Sequence, residues 1–241
     1  MKKYTLEQGT VSIYVYSFEL MDSRMYMVKE DNEIFIVDPC IDDELLQDAE
    51  GAERAIIFLT HEHYDHISGV NWLKEHFSCS VYAGSVCAER VKSEKENLSS
   101  RFPFIFLLDK EKYDYVRSHF SLPYTCEVEK SFLGKGELTW KGHLIELYEV
   151  GGHSPGSSLI MFDKKFLFGG DNVLDNGREL WGTDGSSECY RRDVLPVLQK
   201  LDPQMIVLPG HGESDLLSHF MKILLKNSSL INRSQQYKTV F

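Results

Sequence analysis

The chain has 241 residues, 42% hydrophobic and 26% charged, the balance of a globular protein able to bury a sizeable core. Its formal net charge of -11 repels phosphate backbones and anionic lipid, which disfavours nucleic-acid and membrane partners. The five cysteines (Cys40, Cys79, Cys87, Cys126 and Cys189) are widely spaced and include no C-x-x-C pair. Neither a disulfide framework nor a structural zinc knuckle is expected from them, but reduced thiols are. Residues 1–10 carry two lysines with no apolar run behind them, so no signal peptide is expected. No stretch approaches the roughly 20 apolar residues of a membrane span. The expected location is cytoplasmic.

In chain order, Val11–Tyr16 and Met25–Lys29 read as strands, and Asp31-Asn32 turns into a third at Glu33–Val37. Residues 42–50 read as a helix with Asp42 at its N-cap. Ala55–Leu59 is an apolar run that reads as a buried strand, and it ends in Thr60. Helical spacing returns over Ile67–Phe77, a short strand is expected at Val81–Ala83, and a helix over 85–97. The stretch from 98 to 135 is less regular and rich in aromatics, among them Phe102, Phe106, Tyr115, Phe120 and Tyr124, with a helix over about 109–120. An inserted segment of this kind serves as local core, or as a lid or pocket wall. Strands follow at Glu137–Trp140, His143–Val150, Ser158–Phe162 and Lys165–Phe168, then a helix over 187–201, a strand at 205–208 and a helix over 214–226. Two mixed sheets packed face to face with helices outside would bury this set within a single domain spanning 1–241.

Thr60-His61-Glu62-His63-Tyr64-Asp65-His66 follows directly on an apolar strand and holds three imidazoles and a ligand-type carboxylate, Asp65. His61 and His63 alternate past Glu62, so a chain leaving a strand can aim both at one point, with Asp65 and His66 reaching a second nearby. Imidazole and carboxylate together suit zinc, iron or manganese. The same pattern recurs three times: Gly151-Gly152-His153 after Glu149-Val150, Gly169-Gly170-Asp171 after Leu167-Phe168, and Pro209-Gly210-His211 after Val207-Leu208. Each places one ligand-type residue beside glycine just past an apolar strand. Glu62 reads only as the residue between two ligands.

With H-x-H-x-D-H met in full by residues 61–66, and His153, Asp171 and His211 following in order, the chain resembles the metallo-β-lactamase-fold hydrolases. The resemblance covers about residues 11–225. It implies a four-layer αββα sandwich of two mixed β-sheets with a site at one sheet edge. It further implies that His61, His63 and His153 hold one metal ion, that Asp65, His66 and His211 hold a second, and that Asp171 bridges them. Two divalent ions, zinc or else manganese or iron, would share a hydroxide that cleaves a small-molecule thioester, ester or lactone, with Asp65 also carrying a proton. Asp38, ending the strand Glu33–Val37, matches a family position that orients a ligating imidazole from behind. Gly177-Arg178-Glu179-Leu180-Trp181-Gly182-Thr183 is similar to a segment of glyoxalase II, which would place Arg178 where it grips a substrate carboxylate. Only 30 residues follow His211, too few for that family's long helical extension. The alternative is a mononuclear iron oxidoreductase resembling the persulfide dioxygenases, which use the first-metal ligands alone.

Overall fold

The structure is a computed structural model that describes residues 4–8, 11–18, 20–175 and 185–236. Strands β1 (Tyr4–Gln8), β2 (Val11–Phe18), β3 (Ser23–Glu30), β4 (Glu33–Val37), β5 (Arg54–Phe58), β6 (Ser78–Gly84) and β7 (Lys130–Phe132) form one sheet in sequence order. Pairing is antiparallel from β1 to β4 and parallel from β4 to β7. The second sheet contains β8 (Lys135–Trp140), β9 (His143–Glu149), β10 (Ser158–Phe162), β11 (Phe166–Gly170), β12 (Ile206–Pro209) and β13 (Asp215–Leu216). Its order is β13-β12-β11-β10-β9-β8, with β11 and β12 parallel and the other pairs antiparallel.

Strand side chains alternate between faces, and here both faces are apolar. In β4, Phe35 and Val37 point between the sheets while Ile34 and Ile36 point outwards; in β5, Phe58 points in while Ala55 and Ile57 point out. The inner layer joins the sheets through aromatic contacts. The Phe35 ring lies 5.0 Å from Phe58, 5.3 Å from Phe162 and 5.6 Å from Trp140. Truncating such a fully buried Phe to Ala costs about 3–5 kcal/mol.

Helices cover the outer faces. Those on the first sheet are α1 (Asp43–Asp48), α2 (Tyr64–Ile67), α3 (Val70–His76), α4 (Ser85–Arg90) and α5 (Lys110–His119), with a 3₁₀ segment, Ser99–Phe106, before the last. On the second sheet, α6 (Ser187–Cys189) runs through a π turn (Tyr190–Val194) into α7 (Leu195–Leu198), and α8 (Leu217–Gln236) follows. The result is the expected αββα sandwich. The Asp42 carboxylate caps α1 by accepting from the Glu44 amide at 2.9 Å.

Several elements differ from expectation. The helix expected over 67–77 is two helices, α2 and α3, that meet at Ser68-Gly69. A Cβ on Gly69 would collide with the Cys40 backbone, so this corner is set by a distant strand end. The helix expected over 85–97 stops at Arg90, where buried Asn97 donates to the carbonyls of Val91 and Tyr124 at 3.1 and 2.8 Å and folds the chain into a turn. Residues 130–132 of the irregular stretch join the first sheet as β7. The helix expected over 187–201 ends at Leu198. The last helix starts at Leu217 rather than 214, because Asp215 and Leu216 pair with β12.

Candidate metal centre

Five strand ends converge at one edge of the sandwich. Val37 of β4 leads into Asp38, β5 leads through Thr60 into the 61–66 segment, β9 leads to His153, β11 to Asp171 and β12 to His211. Backbone bonds tie the two sheets together at this edge. The Ser158 amide donates to Thr60 O at 2.7 Å, the Arg24 amide donates to Gly210 O at 2.8 Å, and Ser23 forms an isolated antiparallel bridge with His211. Two glycines are required by what they touch. A Cβ on Gly210 would collide with the Asp171 carboxylate. Gly152 has φ +105°, a conformation that L side chains rarely adopt, and a Cβ there would meet Asn172 Oδ1 at 2.6 Å.

The structure brings together all seven expected ligand-type residues. The ligand atoms of His61, His63 and His153 lie within 4.8 Å of one another, and so do those of Asp65, His66 and His211. His153 Nε2 is 3.1 Å from His63 Nδ1, and His66 Nε2 is 3.3 Å from His211 Nε2. Asp171 touches both groups: Oδ2 is 3.4 Å from His153 Nε2 and from His211 Nε2, and Oδ1 is 3.4 Å from His66 Nε2. Asp65 Oδ2 is 3.3 Å from His66 Nε2 and 3.5 Å from His211 Nε2.

These residues fit metal ions. Two nitrogens each about 2.0–2.1 Å from zinc lie about 3.3 Å apart across a tetrahedral edge, close to the separations found here. His61 Nε2 and Asp171 Oδ1 are buried with no hydrogen-bond partner, a cost that a bound cation relieves at ligating atoms.

The groups behind the cluster fix which nitrogen of each ring faces it. Asp38 Oδ1 accepts from the Thr60 amide at 2.7 Å, and Oδ2 accepts the Thr60 hydroxyl at 2.5 Å. With its proton committed there, Thr60 Oγ1 is left to accept from His61 Nδ1, 3.1 Å away. Asp38 Oδ2 also lies 3.1 Å from His66 Nδ1, and Met21 O lies 3.0 Å from His211 Nδ1. In all three rings Nδ1 is the donor, which leaves Nε2 turned to the cluster. On the other side, Asn172 Oδ1 accepts from the His153 amide at 2.8 Å, its Nδ2 donates to Gly151 O at 2.7 Å, and the Tyr190 hydroxyl donates to Asn172 O at 2.6 Å. The sequence reading anticipated Asp38 but neither Thr60 nor Asn172 nor Tyr190 in these positions.

Glu62 is more than a spacer. It is fully buried, its Oε1 accepts from Arg90 Nε at 2.5 Å, and its Oε2 accepts from the Ser154 hydroxyl at 2.8 Å. The side chain between two ligand-type histidines thus points away from them and joins their segment both to α4 and to the loop carrying His153. A sequence signal existed: in an extended H-E-H run the Glu faces opposite the histidines, so it enters protein interior and needs a cation there.

Burial opposes charge throughout the cluster, and the outcome depends on neighbours. Burial and then the His153 charge push His63 down to about 3, and burial with the other imidazoles holds His61 well below its usual range. Burial also works against charge on Asp171 and Asp65, but the imidazoles outweigh it. His211, His153 and His66 hold Asp171 well below the carboxylate range, and His66 with His211 does the same for Asp65. On His66 burial is overcome by Asp65 and Asp171, and on His211 by Asp171, so both are raised. A cation entering the site displaces such protons.

Arg178 lies outside the described residues. His76, His119, His143 and His219 belong to none of the potential metal-holding groups among the described residues. His143 instead pairs with Asp163 at 2.6 Å.

A family model described as the Metallo-beta-lactamase superfamily matches residues 20–211. Hydroxyacylglutathione hydrolase GloC of Haemophilus influenzae is 27% identical over 164 residues, 65% of this chain and 68% of that protein. The probable metallo-hydrolase YqgX of Bacillus subtilis is 25% identical over 206 residues, 82% of this chain and 89% of that one. The probable polyketide biosynthesis zinc-dependent hydrolase PksB of Bacillus subtilis is 23% identical over 178 residues, 73% and 65% of the two chains. Among solved structures, BLEG-1 B3 metallo-beta-lactamase superposes with a TM-score of 0.65 at 24% identity, covering 92% of this chain and 96% of that one. At that identity the likeness speaks to the fold.

Proposed function

We propose that this chain, which belongs to the metallo-beta-lactamase superfamily, is a hydrolase that uses two divalent metal ions, zinc by the chemistry of its donors, to cleave a thioester, ester or lactone. The observation that carries this reading is the convergence of seven imidazole and carboxylate side chains, with His61 Nε2 buried and unpartnered among them. His61, His63 and His153 would hold one ion, Asp65, His66 and His211 the other, with Asp171 in contact with both groups. Bound there, the ions supply Lewis acidity and a water acidic enough to react near neutral pH.

The chain's own residues do the rest. Asp38 and Thr60 hold the rings of His61 and His66 in one orientation. Asp65, kept ionised by its imidazole neighbours, can take a proton at Oδ2 and pass it to a leaving group. A thiolate leaves with little protonation, which makes a thioester an easy target. The names of GloC and PksB, a hydroxyacylglutathione hydrolase and a probable zinc-dependent hydrolase, support hydrolysis as the reaction class. Arg178 is carried as a substrate contact on its spacing alone, for a substrate with an acidic substituent. A cytoplasmic location is inferred from five cysteines that form no disulfide. No described helix is long and apolar enough to cross a membrane.

The test is metal analysis of freshly purified protein, followed by a panel of acyl thioesters, lactones, aryl esters, phosphodiesters and S-lactoylglutathione. About two zinc or manganese ions per chain, with fastest turnover of an acyl thioester or ester and poor turnover of S-lactoylglutathione, is the expected result. Fastest turnover of a phosphodiester refutes acyl transfer. A single iron with oxidation of a persulfide refutes hydrolysis.

A further inference from the structure

Beside the metal centre, on the far side of α2, lies a cavity of about 1030 Å³ between α2–α3 and the aromatic segment that ends near Thr125. Its walls include Phe18, Leu20, Tyr64, Trp72, Phe120 and Tyr124. Tyr64 is braced edge-on by Phe102 at 4.7 Å and by Tyr124 at 5.5 Å, so this wall is packed in place. We infer that the cavity binds the linear apolar acyl chain of the substrate. This deepens the hydrolase reading and rests on it.

Three observations support the inference. First, the cavity and the metal centre share their framework. Tyr64 and Ser68 sit one turn apart and face the cavity, while Asp65 and His66, between them, face the cluster. Leu20 lines the cavity, and the carbonyl of its neighbour Met21 lies 3.0 Å from His211 Nδ1. Second, the Ser68 side chain is 4% exposed and its Oγ has no hydrogen-bond partner among the described residues. Ser68 follows His66 by two residues, so the cavity wall is continuous with the segment that carries the cluster. Third, the cavity continues outwards. Lys112 lines both it and a shallower hollow of about 490 Å³ built from residues 104–109. Along that hollow Phe104, Ile105 and Leu107 are 55%, 58% and 60% exposed, and Leu108 is fully exposed. An apolar track that starts at α2, the helix that also carries Asp65 and His66, and runs past α5 suits a flexible chain of methylenes better than a compact ring. Glu75, Lys112 and His119 give the cavity a polar rim, as in other ligand pockets.

Burial of a methylene contributes about fourfold in kcat/KM where the contact is complete. The experiment uses N-acetylcysteamine thioesters from acetyl to tetradecanoyl with zinc-loaded protein, alongside calorimetric titration with dodecanoate. It compares the wild type with Ser121→Trp and, separately, Thr125→Trp, exposed cavity-lining positions where an indole fills the space without disturbing the core. The expected result is a rise of at least about tenfold in kcat/KM from butanoyl to dodecanoyl in the wild type. Each Trp variant abolishes that rise and leaves acetyl turnover unchanged. Turnover that ignores chain length, or a rise that survives both variants, overturns the inference. If no thioester, ester or lactone is hydrolysed, the hydrolase reading fails by itself. Dodecanoate binding lost in both variants then still supports the cavity, and absence of dodecanoate binding in the wild type overturns it.

Discussion

Glu62→Gln is the substitution that most directly tests the buried scaffold behind the cluster. Removing one partner of a fully buried ion pair costs about 3–5 kcal/mol, because the other charge is left unpaired. Here the loss is smaller, for two reasons visible in the structure. Arg90 retains Glu96, with Nη1–Oε1 at 3.3 Å and a second contact to the Glu96 carbonyl at 3.4 Å, and the Arg90 side chain is 14% exposed. The Gln amide can still accept from Arg90 and donate to Ser154 Oγ. The expected cost is about 2–3 kcal/mol. Because Glu62 joins the His61–His63 segment to the His153 loop through Ser154, the same change should weaken metal retention about 10–100-fold. Urea unfolding of metal-free protein measures the first effect, and competition with a chromogenic chelator measures the second. Glu96→Gln is the control. It removes the half-exposed partner of Arg90 and should cost less than about 0.5 kcal/mol. If Glu62→Gln unfolds at the wild-type urea concentration and holds metal as tightly, the scaffold argument is wrong.

Three further outcomes follow from the same geometry. Asp171→Ala should lose both ions, while His211→Ala should lose mainly one, because Asp171 contacts both groups and His211 sits in one; metal content after dialysis separates the two, and equal loss counts against the assignment. Asp38→Asn should weaken metal retention about 10–100-fold, since an amide cannot accept at both ends from the Thr60 amide, the Thr60 hydroxyl and His66; unchanged retention in chelator competition refutes this role. Chelation of the metals should remove roughly 4 kcal/mol of stability where free zinc stood a thousandfold above its Kd, and calorimetry showing no fall in Tm contradicts a resident metal.

The strands were legible because burial on both faces leaves an apolar run in the sequence, as in Ala55–Leu59, and because a ligand-type residue follows each strand end at the site. The ends of helices were less legible. Nothing local stops the helix at Arg90; the stop depends on Asn97 reaching the carbonyl of Tyr124, 27 residues away. Nothing local breaks the chain at Ser68-Gly69 except the presence of glycine, whose reason is the Cys40 backbone against it. Strand β1 was not expected at all, and β13 is a two-residue edge whose pairing with β12 decides where the final helix begins.

The same distinction explains the site. Ligand-type side chains are legible because their chemistry restricts the residue types that can serve. The residues that aim them are ordinary in type and act across long sequence separations: Thr60 with Asp38, Asn172 with His153, Glu62 with Ser154. Each of these bonds spans the gap between two strand ends. The first two join strand ends within one sheet, and Glu62 with Ser154 joins one sheet to the other. A cluster of seven ligand-type groups, five of them buried, is costly without a cation, since its imidazoles and carboxylates compete for few protons. The scaffold bonds keep that cluster assembled before any ion arrives. Metal affinity should therefore depend on these outer bonds nearly as strongly as on the ligands themselves.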